Sequence, residues 1–460
     1  MKQYSNIIIY GAGASGVLIK QLFDKKKTTV IAFIDDNKVL HNRMLVGVKI
    51  MHSSFLDENF IFENSVDAIF LSNIYVHLNQ STILKKFNLP LLLPKDVGEW
   101  NQGNISSLDI SEIDSSFIIN RSVSGNLSQE SLKKLRGKKI LVTGASGSIG
   151  SEITRQLSKH SEISLILVDI DESGLHDLYN TLENKANCVF HVCDVSNLKE
   201  LERVIGKYEG ISSVFHAAAY KHVPIVEDDP YPAIRVNVEG TLNLCLLVDK
   251  YNINDFTLVS TDKAVNPTNI MGATKRCAEI ITTYYNFNSK SVFRCTRFGN
   301  VIGSRGSAIP LFIEQIKNGG PVTLTHNNIT RYFMTIPEAT QLVIKSSLLE
   351  NSGGVMLFDM GDPIHLKEVI ENLILYFNAP NIKIDIIGLR SGEKMYEELN
   401  SANEKLLPTS DDKISVIKTK VPSKTSIDLL YKFIEEFKEL DISQLKINLK
   451  NIIPEYLIKV

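Results

Sequence analysis

No apolar run in this 460-residue chain approaches the roughly 18 residues needed to span a bilayer. Its first residues, Met1-Lys-Gln-Tyr-Ser-Asn6, lead into a strand pattern without the apolar stretch of a signal peptide. No membrane span and a cytoplasmic location are therefore expected. Charge of one sign is also lacking, because 50 Lys and Arg stand against 52 Asp and Glu for a formal net charge of −2. The short runs Lys25-Lys26-Lys27 and Lys138-Lys139 read as solvated surface or helix-end charge, so no nucleic-acid partner is expected. Cysteine is scarce: Cys188, Cys193, Cys245, Cys277 and Cys295 form no C-x-x-C pair and lie in apolar or strand-like segments. Buried reduced thiols are expected, with no disulfide framework and no metal site.

What the chain does contain is a repeat. Ile7-Ile-Ile-Tyr10, then Gly11-Ala-Gly-Ala-Ser-Gly16, then Val17-Leu-Ile-Lys-Gln-Leu-Phe23 reads as strand, Gly-rich turn and helix. The order returns at Ile140-Leu-Val-Thr143, Gly144-Ala-Ser-Gly-Ser-Ile-Gly150 and Ser151-Glu-Ile-Thr-Arg-Gln-Leu157. In each copy a second apolar run ends in an acid, Asp35 or Asp169, 19 residues after the last glycine. Such glycines allow a tight turn and let backbone N–H groups at a helix start meet a pyrophosphate. The second copy, with Gly144, Gly147 and Gly150 spaced G-x-x-G-x-x-G, resembles short-chain dehydrogenase/reductase proteins and is expected to bind a dinucleotide. The first is expected to share the fold; its ligand is left open between a nucleotide and a regulatory, assembly or vestigial role.

Strand and helix patterns alternate downstream of Gly150, through Ser213-Val-Phe-His-Ala-Ala-Ala219, a helix around Val238 to Tyr251, Phe256-Thr-Leu-Val-Ser260, a helix from about Gly272 and Ser291-Val-Phe-Arg-Cys-Thr-Arg297. The expected class is α/β, with two Rossmann-like doubly wound parallel-sheet domains and a smaller C-terminal α/β substrate region. Boundaries are expected at 1–95 for the first domain, 96–137 for a linker, 138–300 for the catalytic Rossmann domain and 301–460 for the region mainly binding substrate. Open parallel sheets bind ligands at the carboxyl ends of their strands, where the glycine loop, His216-Ala-Ala-Ala219, Thr261-Asp-Lys263 and Phe298-Gly-Asn300 converge by pattern.

Seven blocks, T-G-A-S-G-S-I-G, F-H-A-A-A-Y-K-H-V-P, S-T-D-K-A-V-N-P, M-G-A-T-K, R-F-G-N-V-I-G-S-R-G-S, T-R-Y-F-M-T-I-P-E-A and G-L-R-S-G-E-K, are spread over the chain from Lys138 to the tail Ile453-Pro-Glu-Tyr456. In kind and order they resemble the CapD-like polysaccharide-biosynthesis family, nucleotide-sugar 4,6-dehydratases of the extended short-chain dehydrogenase/reductase type. The resemblance implies a UDP-N-acetylhexosamine substrate, most often UDP-GlcNAc. Hydride leaves C4 for the cofactor, water is lost across C5 and C6, and the hydride returns to C6. It further implies Lys263 as the C5 base, Asp262 as the acid for the C6 oxygen, and Lys275 as the holder of the nicotinamide ribose. Met271 stands where most of the superfamily has tyrosine; the resemblance is to the branch with methionine, and a thioether moves no proton. Thr261 is then expected to bond the C4 hydroxyl, with Asp262 serving both the C4 and the C6 proton steps. For Lys263 to act as a base its pKa must fall, through desolvation and positive charge such as Lys275.

Asp169 is spaced to bond the adenosine ribose, and Ile170-Asp-Glu172 offers no arginine for a 2′-phosphate, so NAD is expected in preference to NADP. Asp194 resembles an adenine-edge contact, and otherwise reads as a turn aspartate. Ser146, Ser148, Ile149, Val195, Ala217 and Ala218 complete the expected cofactor lining. Lys221, His222, Asn300, Arg305, Arg331, Arg390 and Glu393 are expected around the substrate, the arginines at its phosphates. A homo-oligomer is expected. Two other readings stay open: a nucleotide-sugar epimerase, and a nucleotide-binding sensor that lost catalysis with its tyrosine.

Overall fold

The computed structural model describes residues 4–25, 28–72, 84–92, 127–349, 353–377, 379, 381–390 and 392–458. These fall into two compact units, one drawn from 1–123, 308–327 and 364–387, the other from 124–307, 328–363 and 388–460. The stretch 301–460 is therefore shared between both units. Of the linker expected at 96–137, residues 96–126 lie outside the described residues, and the helix Gln129–Leu135 opens the second unit.

In the first unit, β1 (Asn6–Tyr10), β2 (Thr29–Ile34), β3 (Met44–Leu45), β4 (Val48–Met51), β5 (Ala68–Leu71) and β6 (Leu91–Leu92) form one sheet. Their order is β3-β4-β2-β1-β5-β6, with β1 parallel to both β2 and β5. Ile7, Ile8 and Ile9 are all fully buried, the continuous apolar run of a strand covered on both faces.

The second unit is built on β7 (Lys139–Thr143), β8 (Ser164–Asp169), β9 (Cys188–Val192), β10 (Ile211–His216), β11 (Asp255–Val259) and β12 (Val292–Arg297). They run parallel, in the order β12-β11-β10-β7-β8-β9. Beyond β12 the sheet continues through parallel Gly354–Phe358 to antiparallel Ile414–Ile417 and Leu406–Pro408. This is the expected Rossmann-type arrangement, and its strand order reverses between β7 and β10, where such sheets open a ligand crevice. Among the described residues no helix is long and apolar enough to cross a membrane. All five cysteines are free; Cys188 is half-buried and the others are buried.

Both glycine loops are locked by their acids in the same way. Asp169 Oδ2 accepts from Ser146 N at 2.9 Å and Oδ1 from Asp171 N at 3.0 Å. Asp35 Oδ2 accepts from Ala12 N at 2.8 Å and Oδ1 from Asn37 N at 2.9 Å. In the second copy Gly144 sits at φ +66°, and a Cβ there would lie 2.5 Å from Ala218 N. A Cβ on Gly150 would come within 2.1 Å of Gly144 O, so only glycine lets the helix Ser148–Ser158 start this close to the turn.

The long helix Ile270–Asn288 is capped by Asn269, whose side chain accepts from Gly272 N at 2.8 Å. A buried ionic cluster fastens it to the sheet. Arg297 of β12 donates to Glu279 at 3.1 and 2.8 Å, joined by Ser260 Oγ at 2.7 Å and Arg276 at 3.0 Å. Burial alone would raise the Glu279 carboxyl, but the two arginines and Ser260 bring it down to about 2. The tail packs on the other end of the same segment: Tyr456 is buried, Glu455 accepts from Arg276 Nε at 2.9 Å, and Leu457 N donates to Pro267 O at 2.8 Å.

Candidate active site

β11 ends at Val259, and two residues later Thr261 caps a single 3₁₀ turn, Asp262–Ala264. This turn brings an acid and an amine together. Asp262 is fully buried, and its Oδ1 accepts from Thr261 Oγ1 at 2.8 Å and from Lys263 Nζ at 3.1 Å. Its Oδ2 is buried without a hydrogen-bond partner and faces Gly299, where a Cβ would stand 3.1 Å away. Glycine in Phe298-Gly-Asn300 thus leaves room beside a carboxylate oxygen that has no protein donor.

Lys263 Nζ also donates to Asn300 Oδ1 at 3.2 Å and lies 3.8 Å from Glu397 Oε1. The expected fall in its pKa is corrected by these neighbours. Burial pulls the ammonium down, but Asp262 and Glu397 outweigh burial and Arg331, and hold Lys263 above the ordinary lysine value. Lys275, by contrast, is lowered, brought to about 8 by burial against the opposing pull of Cys295 and Glu279. Lys275 makes no hydrogen bond to the described residues, so its buried amine is available to a ligand's hydroxyls.

Met271 is buried within the apolar cluster that also contains Ile270, Ala273 and Cys277. It carries no proton chemistry and acts as packing. The glycine after it has a sharper task, because a Cβ on Gly272 would lie 2.2 Å from Lys263 O. The helix start can lean on the Asp262–Ala264 turn only with glycine there.

The residues expected to line a cofactor gather at the ends of β7, β8 and β10. Gly144 meets Ala217 and Ala218, and Gly147, Ser148 and Ile149 lie at the start of the following helix, whose first N–H groups have no intrahelical acceptor. Val195 packs against Gly240. Asp194 forms a turn, accepting from Ser196 N at 2.9 Å and Ser196 Oγ at 2.7 Å, with Arg235 at 3.8 Å. Asn237 was not expected. Its amide brackets Tyr220, accepting from Tyr220 N at 2.8 Å and donating to Tyr220 O at 2.9 Å, and reaches Thr274 Oγ1 at 3.0 Å. It ties the Ala217–Lys221 loop to the long helix.

The substrate-side residues divide into two groups. Arg305 N donates to Ser148 Oγ at 3.2 Å, and Gly306 lies under His222, whose Cε1 would be 2.3 Å from a Cβ there. Desolvation, then the charges of Arg305 and Lys263, lower Lys221 below the usual lysine value. Arg331 belongs elsewhere, which corrects the expectation that it meets phosphate. Its buried guanidinium donates to Thr330 O, Met395 O, Lys394 O and, at 3.4 Å, Glu393. It scaffolds the 393–397 segment. Glu393 also accepts from Arg390 N at 3.1 Å, while the Arg390 side chain is exposed. Asn300, expected to contact a sugar hydroxyl, stands beside Lys263 and accepts from its Nζ at 3.2 Å.

Glu397 is the main residue that sequence reasoning missed. Its side chain is 4% exposed, its Oε1 is 3.9 Å from Arg331 Nε, and its Oε2 is buried without a partner. The signal lay in the continuation of the G-L-R-S-G-E-K block into Met395-Tyr-Glu-Glu398. That segment is docked on the turn by Lys394 Nζ to Val265 O at 2.9 Å and Thr268 Oγ1 to Gly392 O at 2.7 Å.

Comparison with known proteins gives a consistent family picture. Residues 140–419 match the family described as "Polysaccharide biosynthesis protein", and residues 6–70 match the PglD N-terminal domain. The probable polysaccharide biosynthesis protein EpsC of Bacillus subtilis is 36% identical over 97% of this chain and 76% of its own. Capsular polysaccharide biosynthesis protein CapD of Staphylococcus aureus is 44% identical over 65% of this chain, an alignment covering 51% of CapD. A UDP-glucose 4-epimerase of Rickettsia rickettsii is 36% identical over 58% of this chain and 79% of its own. Among solved structures, Pen from Bacillus thuringiensis superposes with a TM-score of 0.58 at 32% identity, over 62% of this chain and 91% of Pen.

Proposed function

Because the chain belongs to the polysaccharide biosynthesis protein family, we propose that it is an NAD-dependent UDP-N-acetylhexosamine 4,6-dehydratase acting on UDP-GlcNAc, for bacterial surface polysaccharide or glycoprotein sugars. The observation that carries the reading is the triad of Thr261, Lys263 and the buried Asp262, with Thr261 Oγ1 and Lys263 Nζ both on Asp262 Oδ1. A dehydration needs a base at C4, a base at C5 and an acid for the C6 oxygen. Simple C4 epimerisation needs neither of the last two.

The fit of NAD rests on the glycine loop that admits no Cβ, the acid lock at Asp169 with no arginine in 170–172, and the unpaired Lys275 amine. Gly147, Ser148, Ile149 and Gly150 would hold the pyrophosphate, and Lys275 the nicotinamide ribose. Held there, NAD would supply the acceptor for the C4 hydride and the donor for its return to C6. The chain's own residues move the protons. Thr261 already donates its hydrogen to Asp262, so its oxygen is free to accept from a C4 hydroxyl; the proton passes through Thr261 to Asp262 Oδ1. Asp262 later gives it to the departing C6 oxygen. Lys221 and Arg305 supply charge for the sugar pyrophosphate.

Incubation of the protein with UDP-GlcNAc and no reductant is expected to yield a UDP-2-acetamido-2,6-dideoxy-4-hexulose, seen by proton NMR as a new methyl signal. The likeness to a protein named UDP-glucose 4-epimerase favours a second reading, in which the same incubation yields a C4 epimer and no methyl group. Gly272→Ala tests the geometry. Pushing the helix off Lys263 O by about 1 Å should lower kcat about 10²-fold, because misplacement of that size costs that much. Unchanged kcat would show that the close approach is not needed.

A further inference from the structure

Counting protons at the C5 step exposes a gap that Asp262 and Lys263 leave between them. Lys263 lies beside two carboxylates and is held as an ammonium, and an ammonium takes no proton from carbon. Asp262, its nearer neighbour at 3.1 Å, is already carrying the C4 proton at that moment under the dehydratase reading on which this inference rests. The other carboxylate within 4 Å of Lys263 Nζ among the described residues is Glu397, at 3.8 Å.

The surroundings of Glu397 suit a group that alternates between charged and neutral. Its side chain is nearly sealed from water, and Oε2 has no donor, so its charge is only partly compensated. The charged groups facing it are Lys263, Asp262, Arg331 and Lys394. Burial, then Asp262, raise its carboxyl above the usual range against the pull of the three cations. Those facing Lys263 are Asp262, Glu397 and Arg331, with Lys221 on the substrate side. In a site emptied of water by substrate, a neutral amine beside a neutral acid is favoured over an ion pair whose lost hydration nothing replaces.

We infer that Glu397 is a positioning residue that takes the ammonium proton of Lys263 onto Oε1 before Lys263 draws the C5 proton, and gives it back after the sugar is released. The balance closes over one turnover. The N–H bond of Lys263 breaks as the O–H bond of Glu397 forms, leaving an amine that accepts the C5 proton. Asp262 protonates the C6 oxygen, which leaves as water. As hydride reaches C6, a proton returns from Lys263 to C5, and Glu397 then reprotonates the amine. No oxidant or further reactant is consumed.

The test follows product formation and C5 hydrogen–deuterium exchange, with cofactor reduction in a single turnover reporting the C4 step alone. Glu397→Gln should still reduce cofactor at near the wild-type rate, while C5 exchange and kcat fall about 10²-fold at pH 7 and recover at pH 9, where solvent can deprotonate Lys263. Glu397→Asp, which keeps an acceptor, should retain the wild-type shape of the pH profile, and its profile decides the matter if the amide variant does not fold. A loss equal at all pH values and shared by the C4 step would mean a merely structural role and overturn the inference, as would unchanged exchange. A wild-type protein that forms no hexulose sinks the dehydratase reading instead, before either variant is compared.

Discussion

Asp262→Asn should lose about 10³- to 10⁴-fold in kcat while keeping its fold and its affinity for NAD. The amide matches the carboxylate in shape, and Lys263 and Thr261 can still reach its oxygen, so packing in this fully buried place survives. Under the proposed dehydratase function, what disappears is the group that accepts the C4 proton and later releases it to the C6 oxygen. Both the first and the middle steps should therefore stall, and a single turnover should show almost no reduced cofactor. Rapid-quench measurement of hexulose, with absorbance for the cofactor, checks this. A variant retaining a tenth of wild-type turnover would mean that the C4 proton takes another route.

Lys263→Met should fail at a different point. The C4 step does not need the amine, so reduced cofactor should build up with substrate while hexulose formation drops at least about 10²- to 10³-fold. A stability cost comes with it, because Asp262 and Glu397 are left as buried carboxylates without their common cation. Breaking such a pair typically costs about 3–5 kcal/mol, read as a lower Tm. The contrast between the two variants, one silent and one trapped in the reduced state, tests the assignment more sharply than either rate. If Lys263→Met also showed no reduced cofactor, the lysine would have to act at C4.

How much of this was legible beforehand depended on whether a residue's duty is local. Gly150 could be read because its demand is set by the Gly144 backbone a few residues away, Gly144 because its φ of +66° belongs to the turn itself, and Asp169 because it closes the same unit. Asp262 and Lys263 are adjacent in sequence and in space. Glu397 was invisible because its meaning comes from Lys263 and Arg331, each more than sixty residues away, while in sequence it is one carboxylate among several. That distance hid only part of the raised pKa of Lys263, whose larger cause is the adjacent Asp262. Arg331 misled for the complementary reason: its block matched, but the backbone carbonyls that absorb its guanidinium belong to 394–395. The interleaving of 308–327 and 364–387 with the first unit was equally hidden, since each piece reads as ordinary α/β chain.

The packing of Glu455, Tyr456 and Leu457 against Arg276 and Pro267 bears on when activity can first arise during protein synthesis. Sheet strands, glycine loop and catalytic turn are all translated long before residues 453–457 leave the ribosome, and N-terminal parts of a chain fold first. Until those residues arrive, the Pro267–Arg276 stretch that carries the catalytic helix start lacks its backing. A nascent chain can thus hold the strands and the glycine loop while the Pro267–Arg276 stretch still lacks the contacts of Glu455, Tyr456 and Leu457.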